Sequence, residues 1–366
     1  MAPSRENHDY RNDAVSSDPI TEETTAIPTV PFEIVEEILI KLPVKFLMQL
    51  KSVCKSWKSL ISDSKFAKKH LRVSTTRHHI LVSYITNLPR KLILEGYPRE
   101  FILVDYPFSF DAAVRQLDFP LSNRNRFESF DFIVGSCHGI ICFVLDRYSP
   151  LLWNPSIRKF MKLPPSFVQE VELCYTHYGF GYVYDRFNDN YIYKDFPYGI
   201  PLHPCGTFVS GTVNWWVTND PHTSHVIISL DLDKESYQQI MQPDYGLKSV
   251  VRRNLAVLRD CLSILALNYT FSDVWLMKEF GNKESWTKLF RIPFGDVEST
   301  PYIRPLYLFE DDQVLLECKY ELQSKRQVEL AIYDSRDSTL KTAEIQKSNC
   351  SMVYEVYQES FIMPCS

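Results

Sequence analysis

No Cys-x-x-Cys pair occurs in this chain of 366 residues, and its nine cysteines, scattered from position 54 to 365, are odd in number. A chain of this length needs no disulfide framework and the spacing offers none, so reduced thiols are expected. Long apolar runs are missing as well. The longest, residues 132–145, has 14 residues, includes Ser136 and His138, and is too short to span a bilayer. Residues 1–25 are polar and acidic, without the apolar segment that a signal peptidase reads. Asn268-Tyr269-Thr270 and Asn349-Cys350-Ser351 match the glycosylation pattern, but without secretion the match is a coincidence. The expectation is a soluble protein of the cytoplasm and/or nucleus that meets no membrane. The formal net charge is only -5, which gives no reason to expect nucleic acid as a partner.

A catalytic or metal-binding set is also lacking. Cys137-His138 lies in an apolar, strand-like run with no second ligand at metal spacing, so it reads as core. His78-His79 and His222-x-x-His225 have no cysteine or carboxylate at a diagnostic interval. Gly179-x-Gly181 is half a dinucleotide fingerprint with no helix to follow, and Gly135-Ser136-Cys137-His138-Gly139 carries Cys where a serine elbow needs Ser. No enzyme activity, cofactor or metal is expected.

What is present is 45% apolar and 23% charged residues, an ordinary globular balance, with aromatics at 14% against only 11 glycines. Tyr, Phe and Trp suit half-buried pleated surfaces, so the surplus leans toward β structure. Charge is uneven. Residues 1–40 sum to -7, residues 41–72 to +8 and the remainder to -6. The first 27 residues have few large apolar side chains and read as a disordered tail.

From Pro31 the pattern becomes helical. Ile34, Val35, Ile38, Leu39 and Leu42 form one stripe, opened by Pro31 and stopped by Pro43. Leu47, Leu50, Cys54, Trp57 and Ile61 predict a second helix, whose other face carries Lys45, Lys51, Lys55 and Lys58 as a solvated surface. A third runs from a cap at Ser64 to Leu71. Three short helices over 28–72 make a thin core, which should need a partner or a docked neighbour.

Residues 73–366 show no long helical period. Short apolar runs punctuated by turn residues repeat instead, with middle strands beginning near 151, 226, 274 and 330. The last two spacings, 48 and 56, are the size of propeller blades; the first, 75, holds an insertion around residues 178–193. The expected fold class is α+β multidomain, a small three-helix unit followed by an all-β, propeller-like domain, with a β-sandwich as the competing reading.

Two resemblances add to this. Val30-Pro31, Ile38-Leu39, Leu42-Pro43-Val44-Lys45, Leu47, Val53-Cys54-Lys55-Ser56-Trp57 and Leu60-Ile61-Ser62 together resemble an F-box. The departures are Val30, where a Leu usually stands, and Met48-Gln49. The rest resembles the plant F-box-associated domain (F-box/kelch-repeat-like) through Gly135–Gly139, Leu152-Trp153-Asn154-Pro155-Ser156-Ile157-Arg158, Tyr178-Gly179-Phe180-Gly181-Tyr182, Ser210-Gly211-Thr212-Val213-Asn214-Trp215 and Ser285-Trp286-Thr287-Lys288. Asp189-Asn190-Tyr191-Ile192 is a less typical strand of that kind.

The resemblance implies a substrate-recognition subunit of an SCF-type (cullin-RING) ubiquitin ligase. Its F-box would bind a Skp-family adaptor, and through it cullin, while the β domain holds a protein target. Val30, Pro31, Ile38, Leu39, Leu42, Pro43, Leu47, Val53, Cys54 and Trp57 are the implied adaptor contacts, with Leu39, Leu42 and Trp57 as hot spots. Tyr175, His177, Tyr178, Tyr191, Tyr193, Trp215 and Trp216 are the aromatics that would reach a target-facing rim. Two other readings stay open: a propeller acting as a lectin or enzyme with a helical leader, and an F-box protein that holds its target without causing ubiquitination.

Overall fold

The computed structural model describes residues 30–73, 78–86, 99–105, 114–117, 132–145, 149–163, 200–201, 205–218, 225–246, 250–294, 302–322, 325–343 and 350–364. The expected tail and the insertion around residues 178–193 lie outside them.

Four helices open the described chain, not three: α1 (Phe32–Leu39), α2 (Val44–Leu50), α3 (Lys55–Ser62) and α4 (Ser64–Val73). Pro31 and Pro43 both take extended backbone and start α1 and α2, so Pro43 begins one helix as it ends another. The stripe from Leu47 to Ile61 is not one helix. At Lys51–Cys54 the bonding tightens to i+3, with Ser52 Oγ donating to the Gln49 carbonyl at 2.6 Å. Serine there competes with the helix for backbone partners. Cys54 is extended and caps α3, its sulfur accepting from the Trp57 N–H at 3.5 Å. Asp63, rather than Ser64, caps α4 by accepting from the Lys65 and Phe66 N–H groups at 2.7 and 3.2 Å.

The strands are β1 (His78–Thr86), β2 (Arg99–Asp105), β3 (Val114–Leu117), β4 (Phe132–Cys137), β5 (Ile140–Leu145), β6 (Ser149–Asn154), β7 (Lys159–Lys162), β8 (Ile200–Pro201), β9 (Thr207–Val209), β10 (Thr212–Thr218), β11 (Val226–Asp231), β12 (Ser236–Ile240), β13 (Arg252–Leu258), β14 (Cys261–Leu267), β15 (Phe271–Met277), β16 (Trp286–Pro293), β17 (Tyr302–Leu308), β18 (Gln313–Leu322), β19 (Lys325–Asp334), β20 (Thr339–Ala343) and β21 (Cys350–Gln358). Among the described residues they form five antiparallel sheets: β21-β1-β2-β3, β4 to β7, β8 to β12, β13 to β16 and β17 to β20. Each sheet is a blade of a β-propeller. In the first, β21 pairs with β1 from His78↔Gln358 to Thr86↔Cys350, so the last strand closes the ring on the first. Closure leaves no sheet edge at the seam.

Side chains on successive inner strands β4, β9, β13, β17 and β21 meet at matching heights. Ser136 Oγ donates to the Val356 carbonyl at 2.5 Å, Asn254 Nδ2 to Ile303 at 2.7 Å and Arg259 to Phe309 at 3.1 Å. All five inner strands therefore run the same way around one axis, which excludes the sandwich. Turns explain the hairpins. His138-Gly139, Ser210-Gly211 and Arg259-Asp260 each have two positive φ angles, the two-residue turn that matches strand twist. Gly139 has a second reason: a Cβ there would sit 2.3 Å from Ser360 Oγ.

Separate apolar cores glue blade to blade. Phe101, Phe143 and Trp153 interlock edge-on between the first two, with Phe101 5.3 and 5.7 Å from its neighbours. Leu265, Val274, Leu316 and Ala331 do the same for the last two.

Candidate protein-interaction sites

The helical unit rests on the propeller. Leu39, Ile40, Val44, Leu47, Ile61, Phe66 and Leu71 share one core with Val134, Ile140, Leu152 and Ile157 of the second blade and with Phe361 and Ile362 after β21. His70 is buried, bonds the Leu42 carbonyl through Nε2 at 2.8 Å and meets the Phe361 ring edge-on at 5.2 Å. Lys51 lies 5.5 Å over the same ring, and burial, with Lys58 nearby, lowers its pKa from the ordinary lysine value. Gln358 Nε2 donates to the Leu71 carbonyl at 3.2 Å.

This contact divides the α1 stripe. Leu39 is 1% exposed and Leu47 0%, so both hold the unit together and neither stands free as an interface hot spot. Leu42, Pro43 and Trp57 are half-buried, with Leu42 and Trp57 packed against that core. Val30, Pro31, Ile38, Val53 and Cys54 are exposed. A second apolar row accompanies them: Phe32 and Ile34 on α1, Phe46 and Met48 on α2, with Ile38 at 55% and Phe46 at 50% exposure. Sequence reasoning did not name Phe32, Phe46 or Met48 among the candidate contacts and put Ile34 and Ile38 on the same face as Leu39. The available signal was excess: α1 has more apolar positions than one 100° stripe can hold.

The segment after β21 is tied down from below. Asn154, fully buried at the end of β6, donates through Nδ2 to the Ser360 carbonyl at 3.1 Å, Ser360 Oγ at 3.1 Å and the Ile362 carbonyl at 2.9 Å. Its Oδ1 accepts from the Ser156 N–H at 3.0 Å and the Tyr357 hydroxyl at 3.1 Å. Ser360 Oγ donates in turn to the His138 carbonyl at 2.7 Å. The Trp-Asn-Pro-Ser phrase thus pins a six-residue strap, and the strap supports the helices.

A channel of about 1450 Å³ runs along the propeller axis between the inner strands. Leu71, Arg72, His138, Gly139 and Gln358 border it at the helical end. Burial pulls the His138 pKa below the ordinary histidine value, against the opposing charge of Asp260. The distal end, where the inner strands begin, is bordered by Tyr302, Arg304, Lys319 and Glu355. Arg304 Nε donates to Glu317 at 2.8 Å and Nη1 lies 3.3 Å from Glu355. Burial disfavours its charge, but Glu317 and Glu355 outweigh that and raise the Arg304 pKa above the ordinary arginine value. Burial likewise raises the Glu355 pKa, with Arg304 opposing.

Of the aromatics expected at a rim, Trp215 and Trp216 are buried on opposite faces of β10, at 5% and 4% exposure. They are wedges of the third blade: a middle strand has neighbours on both faces, and indole fills that gap. Tyr175, His177, Tyr178, Tyr191 and Tyr193 lie outside the described residues. Among the described residues, no three of His, Cys, Asp and Glu are grouped to hold a metal ion.

Comparison with known families matches residues 27–69 to the F-box domain and residues 183–363, a range that includes β8 to β21, to the F-box associated beta propeller domain. An F-box/kelch-repeat protein of Arabidopsis thaliana is 32% identical over 335 residues, covering 82% of this chain and 88% of its own. The F-box protein CPR1 of the same plant is 26% identical over 92% of this chain and 89% of its own. A further F-box protein from that organism is 23% identical over 92% and 90%.

Proposed function

Since the chain belongs to the F-box proteins that carry an F-box-associated β-propeller domain, we propose that it is the substrate-recognition subunit of an SCF-type ubiquitin ligase. Its helical unit docks a Skp-family adaptor and through it cullin, and its propeller holds a protein target, in the cytoplasm and/or nucleus. The observation that carries this reading is the exposed apolar row on α1 and α2, backed by a second row already buried. An unpaired row of Phe32, Ile34, Ile38, Phe46 and Met48 on a small helical unit is a surface for another chain's helices. The receptor itself supplies no bond chemistry in this reading. It raises the local concentration of target lysines near a charged conjugating enzyme, so tethering takes the place of an active site.

The test is co-purification of the full chain with a plant Skp-family adaptor. Changing Ile38 and Phe46 together to Asp is expected to abolish retention, while the thermal unfolding midpoint of the chain stays where it was, because both side chains already face water. Retention that survives this double change overturns the assignment.

A further inference from the structure

We propose that the distal mouth of the channel binds an acidic segment of the protein target, a deepening that rests on the substrate-receptor reading above. Three cations gather where the inner strands begin: Arg252 at the start of β13, Arg304 on β17 and Lys319 on β18, while Arg253 turns to the other side of β13 toward Tyr245. Two carboxylates answer them. Glu317 is fully buried and receives Arg304 at 2.8 Å and Lys319 at 3.2 Å; Glu355 faces Arg304 at 3.3 Å. Both carboxylates are therefore spent on Arg304 and Lys319.

Arg252 meets an aromatic face, and Arg253 meets both the ring and the hydroxyl of Tyr245. The Arg252 guanidinium is 5.7 Å from the Tyr302 ring and that of Arg253 is 5.2 Å from the Tyr245 ring. Among the described residues neither has a carboxylate at ion-pair distance. Lys319 approaches the Tyr302 ring as well, at 5.1 Å, so two cations from neighbouring blades converge on one aromatic ring that borders the channel.

This local excess of positive charge stands against residues 73–366, which sum to -6. An uncompensated cationic cluster on an otherwise acidic domain costs self-repulsion and selects anions at that one place. The planar fork of Arg252 suits a carboxylate in two-point contact, and Lys319 offers a second, point-like charge. Two acidic side chains of one peptide engage both at once. The mouth lies at the end of the axis away from the helices, so a bound segment leaves the adaptor-facing row open.

The experiment uses the full chain in complex with its adaptor and a fluorescein-labelled hexaglutamate peptide, with hexaglutamine as the neutral control. Fluorescence anisotropy at low ionic strength should show binding of the first peptide only, weakening as salt rises. Arg252→Glu is expected to weaken it by on the order of tenfold, since one like charge replaces an attractive one. Arg252→Gln, which leaves Glu317 and its partners untouched, should give a smaller loss in the same direction. Equal binding of both peptides, or unchanged affinity in both variants, overturns the proposal. So does a single-stranded oligonucleotide that displaces the peptide and depends on Arg252 more strongly than the peptide does. Adaptor retention is measured on the same samples: its loss speaks to the helical face, and loss of peptide binding alone speaks to the mouth.

Discussion

The helical unit and the propeller solve the problem of a thin core in opposite ways. Every blade of the propeller is flanked by others, so both faces of each sheet are covered and Trp215 and Trp216 can be buried back to back on one strand. Four helices of seven to ten residues have no such ring to join. They cover one apolar row by leaning on the second blade and the strap, and keep another row in water. The teaching is that burial and exposure were divided between two faces of the same short helices. Residues one position apart, Ile38 and Leu39, belong to different tasks.

The sharpest way to break this comparison is to substitute across it. Leu47→Ala removes a fully buried side chain and should destabilise the chain by about 2–5 kcal/mol in denaturant unfolding. Ile38→Ala, on a side chain that is more than half exposed, should move the same measurement by less than about 0.5 kcal/mol. Similar losses from the two would mean that the helices have one face and not two. Next in size is the strap. Asn154→Ala leaves the Tyr357 hydroxyl with Ser156 as a partner but strands the Ser360 and Ile362 carbonyls, a loss of about 3 kcal/mol. It should also raise hydrogen exchange in α4, whose Leu71 carbonyl depends on Gln358 for a partner. Unchanged exchange in α4 would separate the strap from the helices.

The strand runs were legible because alternation and turn residues are local. The middle strands near 151, 226, 274 and 330 are β6, β11, β15 and β19, each within five residues of the expected start. What escaped was what sequence distance hides. The inner strands β13 and β17 were not read, since Arg252, Arg253, Arg304 and Pro305 interrupt the apolar pattern on the strands that line the channel. The pairing of β1 with β21 joins residues more than 260 positions apart, and no local pattern announces it. The same holds for the site. The F-box phrases located the helical unit, but which apolar residues face out depends on Phe361 and Ile362, at the other end of the chain. Asn154 stood inside a matched phrase, yet its role became visible only with Ser360 placed above it.

The smallest effect sharpens the comparison from the propeller side. Asp273 on β15 is fully buried and lies opposite Arg291 on β16, whose Nε and Nη2 donate to it at 2.7 and 3.0 Å, with Lys288 at 2.8 Å. Burial alone would raise its pKa, but these partners win and hold it below the ordinary aspartate value. A carboxylate whose folded pKa is depressed stabilises the fold above its unfolded pKa, about 3.9, and loses that contribution as pH falls through the folded value. At neutral pH, Asp273→Asn should therefore unfold earlier than the parent chain in a thermal melt. Below about pH 4 the two curves should approach each other, as the parent's carboxylate takes up a proton and resembles the amide. In the helical unit the ion pair is of another kind: Glu36 meets Lys69 at 2.9 Å with both partners open to solvent, and such pairs contribute little to stability. A gap between Asp273→Asn and parent that stays constant from pH 7 to pH 3 would mean that the blade is held at this point by packing and not by charge.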